Sequence, residues 1–359
     1  MRKWGISVMA AGVLFSGGLW GADQAAAGAS PVQVKASVSS LVVLKRNGVV
    51  TEQQGIFRDG KVWVPVSFMR DTLRMPVSFN KAENTYTIGT GNKETRLMVS
   101  EYGVAIFVNN YYISEYEGKM LSNKLYVPFD LLSDYLGYQG DWSASTGRLN
   151  VLNRAQNPIT ISTESYEKEM TGVTMKLEYP QVSGLANADA QKAINNTLKQ
   201  TITSYAAGAE QEIANRTEED RPYEFVGNYI VTYNQNGVLS LITSQYGYTG
   251  GAHGMTYRNA FTFSLKDGKR LLLGDLFGKN PDYKKMLNAR LNKELKAEGG
   301  YLGGFTGLAT EKYFYLKDGK AVLFFQLYEY TAYAQGFPEY TFTFKELLPD
   351  GSSPFTSLK

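Results

Sequence analysis

The residue best equipped for chemistry is a single histidine. His253 lies in Tyr248-Thr249-Gly250-Gly251-Ala252-His253-Gly254, is the one imidazole among 359 residues, and has no cysteine anywhere in the chain to work with. An imidazole that titrates near neutral pH could act as a general base. A serine triad would also need a nucleophile elbow such as G-x-S-x-G, and the sequence holds none. Thiolate nucleophiles, disulfides, cysteine zinc sites and multi-histidine metal sites are excluded by composition, so neither a metal centre nor a cofactor is expected. Glycoside hydrolysis stays open, because it needs only a carboxylate pair and such pairs are distant in sequence. His253 therefore has three roles to choose from: turn packing, partner contact and catalysis. Its glycine neighbours admit positive φ and close backbone approach, which suits a tight turn and a contact loop equally.

A second segment concentrates aromatic rings. Tyr328-Glu329-Tyr330-Thr331-Ala332-Tyr333-Ala334-Gln335-Gly336-Phe337 places three tyrosines and a phenylalanine in ten residues. Tyrosine gives contact area with few rotors and one polar tip, although alternate tyrosines in strands also pack on sheets. The candidate partner-binding residues are Tyr248, Gly250, Gly251, His253, Tyr330, Tyr333, Gln335 and Phe337; none is assigned a catalytic role. What would unite them is convergence of the two loops on one surface.

The elements that must position these loops read as α+β, with strands outnumbering helices. Thr174 to Pro180 alternates like a strand, and the apolar series Ile194, Leu198, Ile202, Tyr205, Ala209 and Ile213 marks a long amphipathic helix capped by Asn187 or Asp189. Tyr229 to Tyr233, Asn236-Gly237 and Val238 to Ile242 form a hairpin signal. Ala260 to Lys269 is a strand closing on Asp-Gly, Asp282 to Ala297 is a second amphipathic helix, and the strands Ala321 to Leu327 and Glu339 to Phe344 complete a mainly antiparallel module. Asn153 to Ser165, polar and broken by Pro158, is the expected linker.

Upstream, Arg2-Lys3, an apolar stretch from Trp4 to Trp20 and Ala25-Ala26-Ala27 predict a signal peptide over 1–27, and hence a secreted, extracellular or cell-wall-associated protein. Next comes an internal repeat: Lys61 to Leu73 aligns without gaps on Lys124 to Leu136. Phe79 then falls on Trp142, and Thr85 to Ile88 on Arg148 to Val151, so each copy reads strand, short helix, strand. Trp63, Tyr126, Phe79 and Trp142 are expected as core aromatics. The pattern V-P-h-x-h-h-x-D-x-L over 41–153 resembles the copper amine oxidase N-terminal-like family, a stalk domain in secreted proteins of Gram-positive bacteria. The resemblance implies a fold and no copper chemistry, since the only histidine lies elsewhere.

The run Tyr248 to Gly254, the downstream Gly274-Asp275-Leu276-Phe277 and Tyr333-Ala334-Gln335-Gly336 resemble a paired module found in the extracellular region of anti-sigma-V factors of the RsiV type and ahead of the catalytic domain in PdaC-type peptidoglycan deacetylases. The resemblance implies modules at 160–250 and 251–347, and a partner such as lysozyme or peptidoglycan. Signalling and deacetylation are not expected to transfer, because neither a membrane tether nor a deacetylase domain is read in the chain. With 37 Lys and Arg against 34 Asp and Glu, the net charge of +3 lacks the basic stripe of a nucleic-acid binder. The expected function is a non-enzymatic envelope-binding protein, with an envelope hydrolase and a purely structural stalk as alternatives.

Overall fold

A computed structural model describes residues 39–356; the expected signal peptide at 1–27 lies outside them. The N-terminal region comprises β1 (Ser40–Arg46), β2 (Val49–Arg58), β3 (Lys61–Pro65), α1 (Val66–Asp71), β4 (Val77–Asn80), β5 (Thr85–Ile88), β6 (Thr95–Ser100), β7 (Gly103–Val108), β8 (Tyr111–Leu121), β9 (Lys124–Pro128), α2 (Phe129–Asp134), β10 (Tyr138–Ser143) and β11 (Arg148–Asn153). These strands form one sheet in the order β10-β11-β1-β2-β3-β9-β8-β7-β6-β5-β4.

The repeat explains that order. β3 and β9 pair antiparallel with Val64 opposite Val127, flanked by Trp63 opposite Pro128 and Pro65 opposite Tyr126. Since 127 minus 64 is the repeat offset of 63, equivalent residues face one another, and a local two-fold passes between the two valines. The hairpins are exchanged across it: β4 and β5 of the first copy lie beside β6, while β10 and β11 of the second close on β1. β3 and β9 are thus central strands. Their prolines are tolerated because each is the last strand residue and the N-cap of a short helix, where no ladder donor is needed. Phe68, Met69, Leu131 and Leu132 are fully buried beneath the sheet, each contributing about 2 kcal/mol of transfer free energy. Trp63 and Tyr126 are buried as expected. Trp142 is half-buried against Phe57, while Phe79 is 48% exposed beside Tyr86 at the sheet edge, so it is not a core residue.

The remaining elements are β12 (Thr160–Met170), β13 (Val173–Ser183), α3 (Ala188–Ala214), β14 (Tyr223–Gln235), β15 (Val238–Tyr248), β16 (Met255–Ser264), α4 (Leu273–Phe277), α5 (Tyr283–Ala297), β17 (Phe314–Lys317), β18 (Lys320–Phe324), β19 (Glu339–Thr343) and α6 (Phe344–Leu347). β12 to β16 form a five-stranded sheet in chain order, and β17 to β19 a three-stranded one. Asn187 is the α3 cap, its side chain accepting from the Asp189 and Ala190 amides. The apolar stripe of α3 covers one face of the five-stranded sheet: Ile194 and Leu198 meet Leu239 and Phe263, and Ile202 and Ala206 meet Leu177 and Phe225. Asn236 and Gly237 take positive φ at the tip of the β14–β15 hairpin, as a two-residue turn requires. Leu287, Leu291 and Leu295 of α5 pack against the three-stranded sheet.

Two expected boundaries move. Residues 160–165 belong to β12 and leave only 154–159 as linker, and β16 completes the five-stranded sheet by pairing with β15, so no break falls between 250 and 251. Residues 39–356 lie in one compact unit, and the N-terminal core residues Val42, Leu44 and Ile113 share a cluster with Ile230, Ile242, Ala260, Tyr315 and Phe324. The N-terminal repeat, which resembles a stalk domain, shares its core with the two C-terminal sheets.

Polar groups line that seam. Lys317, whose side chain is only 5% exposed, reaches both oxygens of Glu115 at 2.6 Å and Oδ2 of Asp134 at 3.3 Å. The Tyr135 hydroxyl donates to Glu115, and that of Tyr116 donates to Asp134 at 2.7 Å. Burial, followed by the nearby carboxylates, pushes both phenols above their usual range. Among the described residues this is a closely shared carboxylate site, and it is occupied by an ammonium group.

A candidate aromatic binding site

The two loops converge. β15 alternates Tyr246 and Tyr248 with Gly247, so both tyrosines lie on the sheet face away from α3. Gly247 faces α3, where a side chain would meet the Tyr205 hydroxyl at 2.8 Å. Beyond Tyr248 the chain turns through Gly250, whose φ of +91° calls for glycine, and brings His253 back over the strand end. Gly254 is glycine for another reason: a Cβ there would fall 2.2 Å from the Tyr246 ring.

From the other side, 325–338 carries Tyr328 and Tyr333 onto the same loop. His253 stacks on Tyr333 with centroids 4.1 Å apart and planes 23° apart, and Tyr328 lies 5.4 Å from Tyr333. The Gly254 carbonyl oxygen accepts from Tyr333 Oη at 3.0 Å and lies 2.9 Å from His253 Nδ1. A carbonyl can only accept, so Nδ1 carries the proton and a neutral ring keeps Nε2 as its acceptor. Nε2 faces the Tyr328 hydroxyl at 3.4 Å. His253 is exposed and Tyr328 is 48% exposed, so the cluster is a surface shelf of rings.

Tyr328 is held in an unusual conformation. Its φ of +64° is left-handed, a region that costs a bulky L residue about 1–2 kcal/mol. The turn around it is fixed by Glu329, whose carboxylate accepts from the Gln326 amide at 2.8 Å and whose amide donates to the Gln326 carbonyl at 3.2 Å. The fold spends strain to project an exposed aromatic ring toward His253.

The other predicted residues divide. Tyr248 sits beside the shelf, its hydroxyl accepting from Arg221 at 3.3 Å, and Gly251 is an exposed loop residue. Tyr330 points inward, edge-on to Phe305 and Phe325, and so supports the loop from below. Gln335 is exposed against Gly300, and Phe337 lies under the Arg258 guanidinium at 4.1 Å, in the seam with the N-terminal region. Those two do not join the shelf. Tyr328, Tyr246, Gly254 and Glu224 are additions to the candidate residues that spacing alone does not reveal. Glu224 is the Cα partner of Tyr248, and desolvation on this tyrosine-rich face holds its carboxyl above the usual carboxylate range. Among the described residues no group of three or more metal-ligating side chains is present, and no helix is long and apolar enough to cross a membrane.

Three family models match successive parts of the chain: the copper amine oxidase N-terminal domain over 43–151, deacetylase PdaC over 142–256, and a protein of unknown function, DUF3298, over 274–345. The peptidoglycan-N-acetylmuramic acid deacetylase PdaC of Bacillus subtilis (strain 168) is 25% identical over 113 residues, which are 29% of this chain and 24% of that protein. The chain therefore spans about a quarter of that relative's length. A solved DUF3298 family member from Bacteroides fragilis is 18% identical, with a TM-score of 0.41 over 57% of this chain and 99% of its own. Another from Pseudomonas aeruginosa PAO1 is 16% identical, with a TM-score of 0.39 over 54% of this chain and 94% of its own. The matched families point to a cell-envelope-related protein built from a copper amine oxidase N-terminal-like region, a PdaC-like region and a DUF3298-like region.

Proposed function

We propose that this is an exported, non-enzymatic envelope protein that binds peptidoglycan on the shelf formed by His253, Tyr328 and Tyr333. The observation that carries the reading is the shelf itself: three mutually adjacent rings at the surface, one in a strained backbone conformation. Aromatic faces bury the C–H faces of sugar rings, and hydroxyl tips at the rim reach sugar hydroxyls. The PdaC-like match over 142–256 supports a glycan ligand, because the relative's name is that of a peptidoglycan enzyme. A strongly basic lysozyme would favour an acidic surface. Around the shelf the carboxyl groups of Glu224 and Glu329 are set against Arg221, so charge does not select a basic protein, and the preference for a glycan rests on the rings and the PdaC-like match.

Retention of the mature chain on purified peptidoglycan tests this. Tyr328→Ala and Tyr333→Ala are expected to reduce retention about tenfold or more while leaving the unfolding midpoint near that of the parent, as for an aromatic anchor at an interface. Retention unaffected by both substitutions overturns the proposal. Capture by immobilised lysozyme without peptidoglycan retention would reassign the shelf to a protein partner, and dye release from labelled cell walls would favour the hydrolase alternative.

A further inference from the structure

We propose that the cleft between the N-terminal repeat and β14 is a second binding site, for a small carboxylate- or phosphate-bearing anion. The cleft is small, with a free volume of about 30 Å³, and Lys93, Gly137, Arg154, Gln156 and Asn234 are among its lining residues. That space suits only an ion of a few heavy atoms held at the mouth, and the cleft lies between modules, a position that small-ligand sites favour.

Its charge is poorly matched from within. Lys93 Nζ donates to the neutral Gln156 Oε1 at 2.8 Å, and among the described residues it forms no salt bridge. Burial lowers the Lys93 ammonium from its usual range, the response of a cation moved out of water without an anion. Arg154 has a side chain 9% exposed, and its one salt bridge, at 3.2 Å, is to Asp318, whose own side chain is 58% exposed and free to yield to another anion. Asp134 also lines the cleft, but its carboxylate is already held by Tyr116 and Lys317.

Room for this arrangement is built into the backbone. Gly137 has φ +83°, and a Cβ there would fall 2.8 Å from Lys93 Nζ and 3.0 Å from Gln156 Nε2. Its carbonyl accepts from the Arg154 amide at 2.9 Å, which docks the linker beside Lys93. Across the cleft, Asn234 Oδ1 accepts from Asn157 at 2.8 Å, leaving its Nδ2 as the remaining donor. A cation from the N-terminal region, a second from the linker and an amide from β14 thus line one space, and an anion placed there would bridge the regions. The cleft shares no residue with the aromatic shelf, so either reading can fail without the other.

Calorimetric titration of the whole mature chain at low ionic strength tests the site, with acetate as the carboxylate probe and inorganic phosphate in a separate run. Saturable binding of either supports the proposal, and the stronger of the two identifies the anionic group preferred. Lys93→Met and Arg154→Gln are each expected to weaken it about tenfold, about 1.4 kcal/mol, whereas Tyr333→Ala leaves it unchanged. Lys93 lies in a short surface turn, so its variant decides the matter even if Arg154→Gln fails to fold. No saturable binding of either probe, or affinity that Lys93→Met leaves intact, overturns it.

Discussion

The seam around Lys317 and the shelf around His253 use similar side chains to opposite ends. Both gather tyrosines and a titratable group contributed by segments remote in sequence. In the seam, the buried ammonium of Lys317 meets two carboxylates, two phenols complete the set, and Glu115, with its side chain 34% exposed, keeps an edge in water. On the shelf, His253 retains a nitrogen directed at an exposed hydroxyl, and Tyr328 holds an unfavourable φ. Saturated and buried groups have no capacity left for a ligand, whereas exposed and underpartnered ones do. Residue type does not separate the two regions; burial and the state of each donor and acceptor do.

The sharpest way to break that comparison is Lys317→Met. It leaves Glu115 and Asp134 at the seam without their cation; removal of one partner from a fully buried pair costs about 3–5 kcal/mol, and solvent at the 34% exposed Glu115 side chain brings the expected loss to about 2–3 kcal/mol. Denaturant unfolding should show stability fall by that amount at unchanged slope. A loss below about 1 kcal/mol, the value of an exposed pair, would mean that the seam is no more than surface.

Next in size is Gly254→Ala. The added methyl meets the Tyr246 ring, which must swing aside, at a cost of about 1–2 kcal/mol in the range of overpacking. Because the Gly254 carbonyl anchors both His253 and Tyr333, peptidoglycan retention should fall as well. A stable variant with intact retention would show that the shelf does not depend on this strand end. Tyr328→Gly acts in the opposite direction. It relieves a left-handed φ at an exposed position and should raise stability by about 0.5–1 kcal/mol while retention falls. Stability gained without loss of retention would remove Tyr328 from the binding surface.

Much of this architecture is legible in the sequence. The repeat is visible because Val-Pro recurs at one offset, and α3, α5 and the Asn236-Gly237 hairpin because periodicity and turn chemistry are local. The exchange of hairpins is not, since the sequence of β4 and β5 does not state which sheet edge they join. The fused core is hidden for the same reason: Ile113 and Tyr315 meet only once the sheets stack. At the shelf, the two loops are identifiable by composition, but nothing in the spelling of 328–337 distinguishes the inward Tyr330 from the outward Tyr328 and Tyr333. The strand alternation that would have sorted them is absent, because the segment is a series of turns and a 3₁₀ turn over Tyr333–Gln335.

The smallest effect concerns Glu224, the carboxyl that the shelf face desolvates without supplying a cation. Its raised folded-state pKa means that between the unfolded value of about 4.3 and the higher folded value the folded chain binds more protons than the unfolded one. Linkage then makes stability fall as pH rises through that window, opposite to the behaviour of a carboxylate held by a partner. Glu224→Gln removes the titration. At pH 7 the variant should be more stable by about 0.3 kcal/mol, a modest figure because solvent screens an exposed group, and the advantage should vanish below about pH 4. Urea titrations at the two pH values separate this from a packing effect, which would persist in acid. If the variant is instead less stable at pH 7, Glu224 has a stabilising partner in solution, and the contrast between a paired seam and an unpaired shelf fails at this residue.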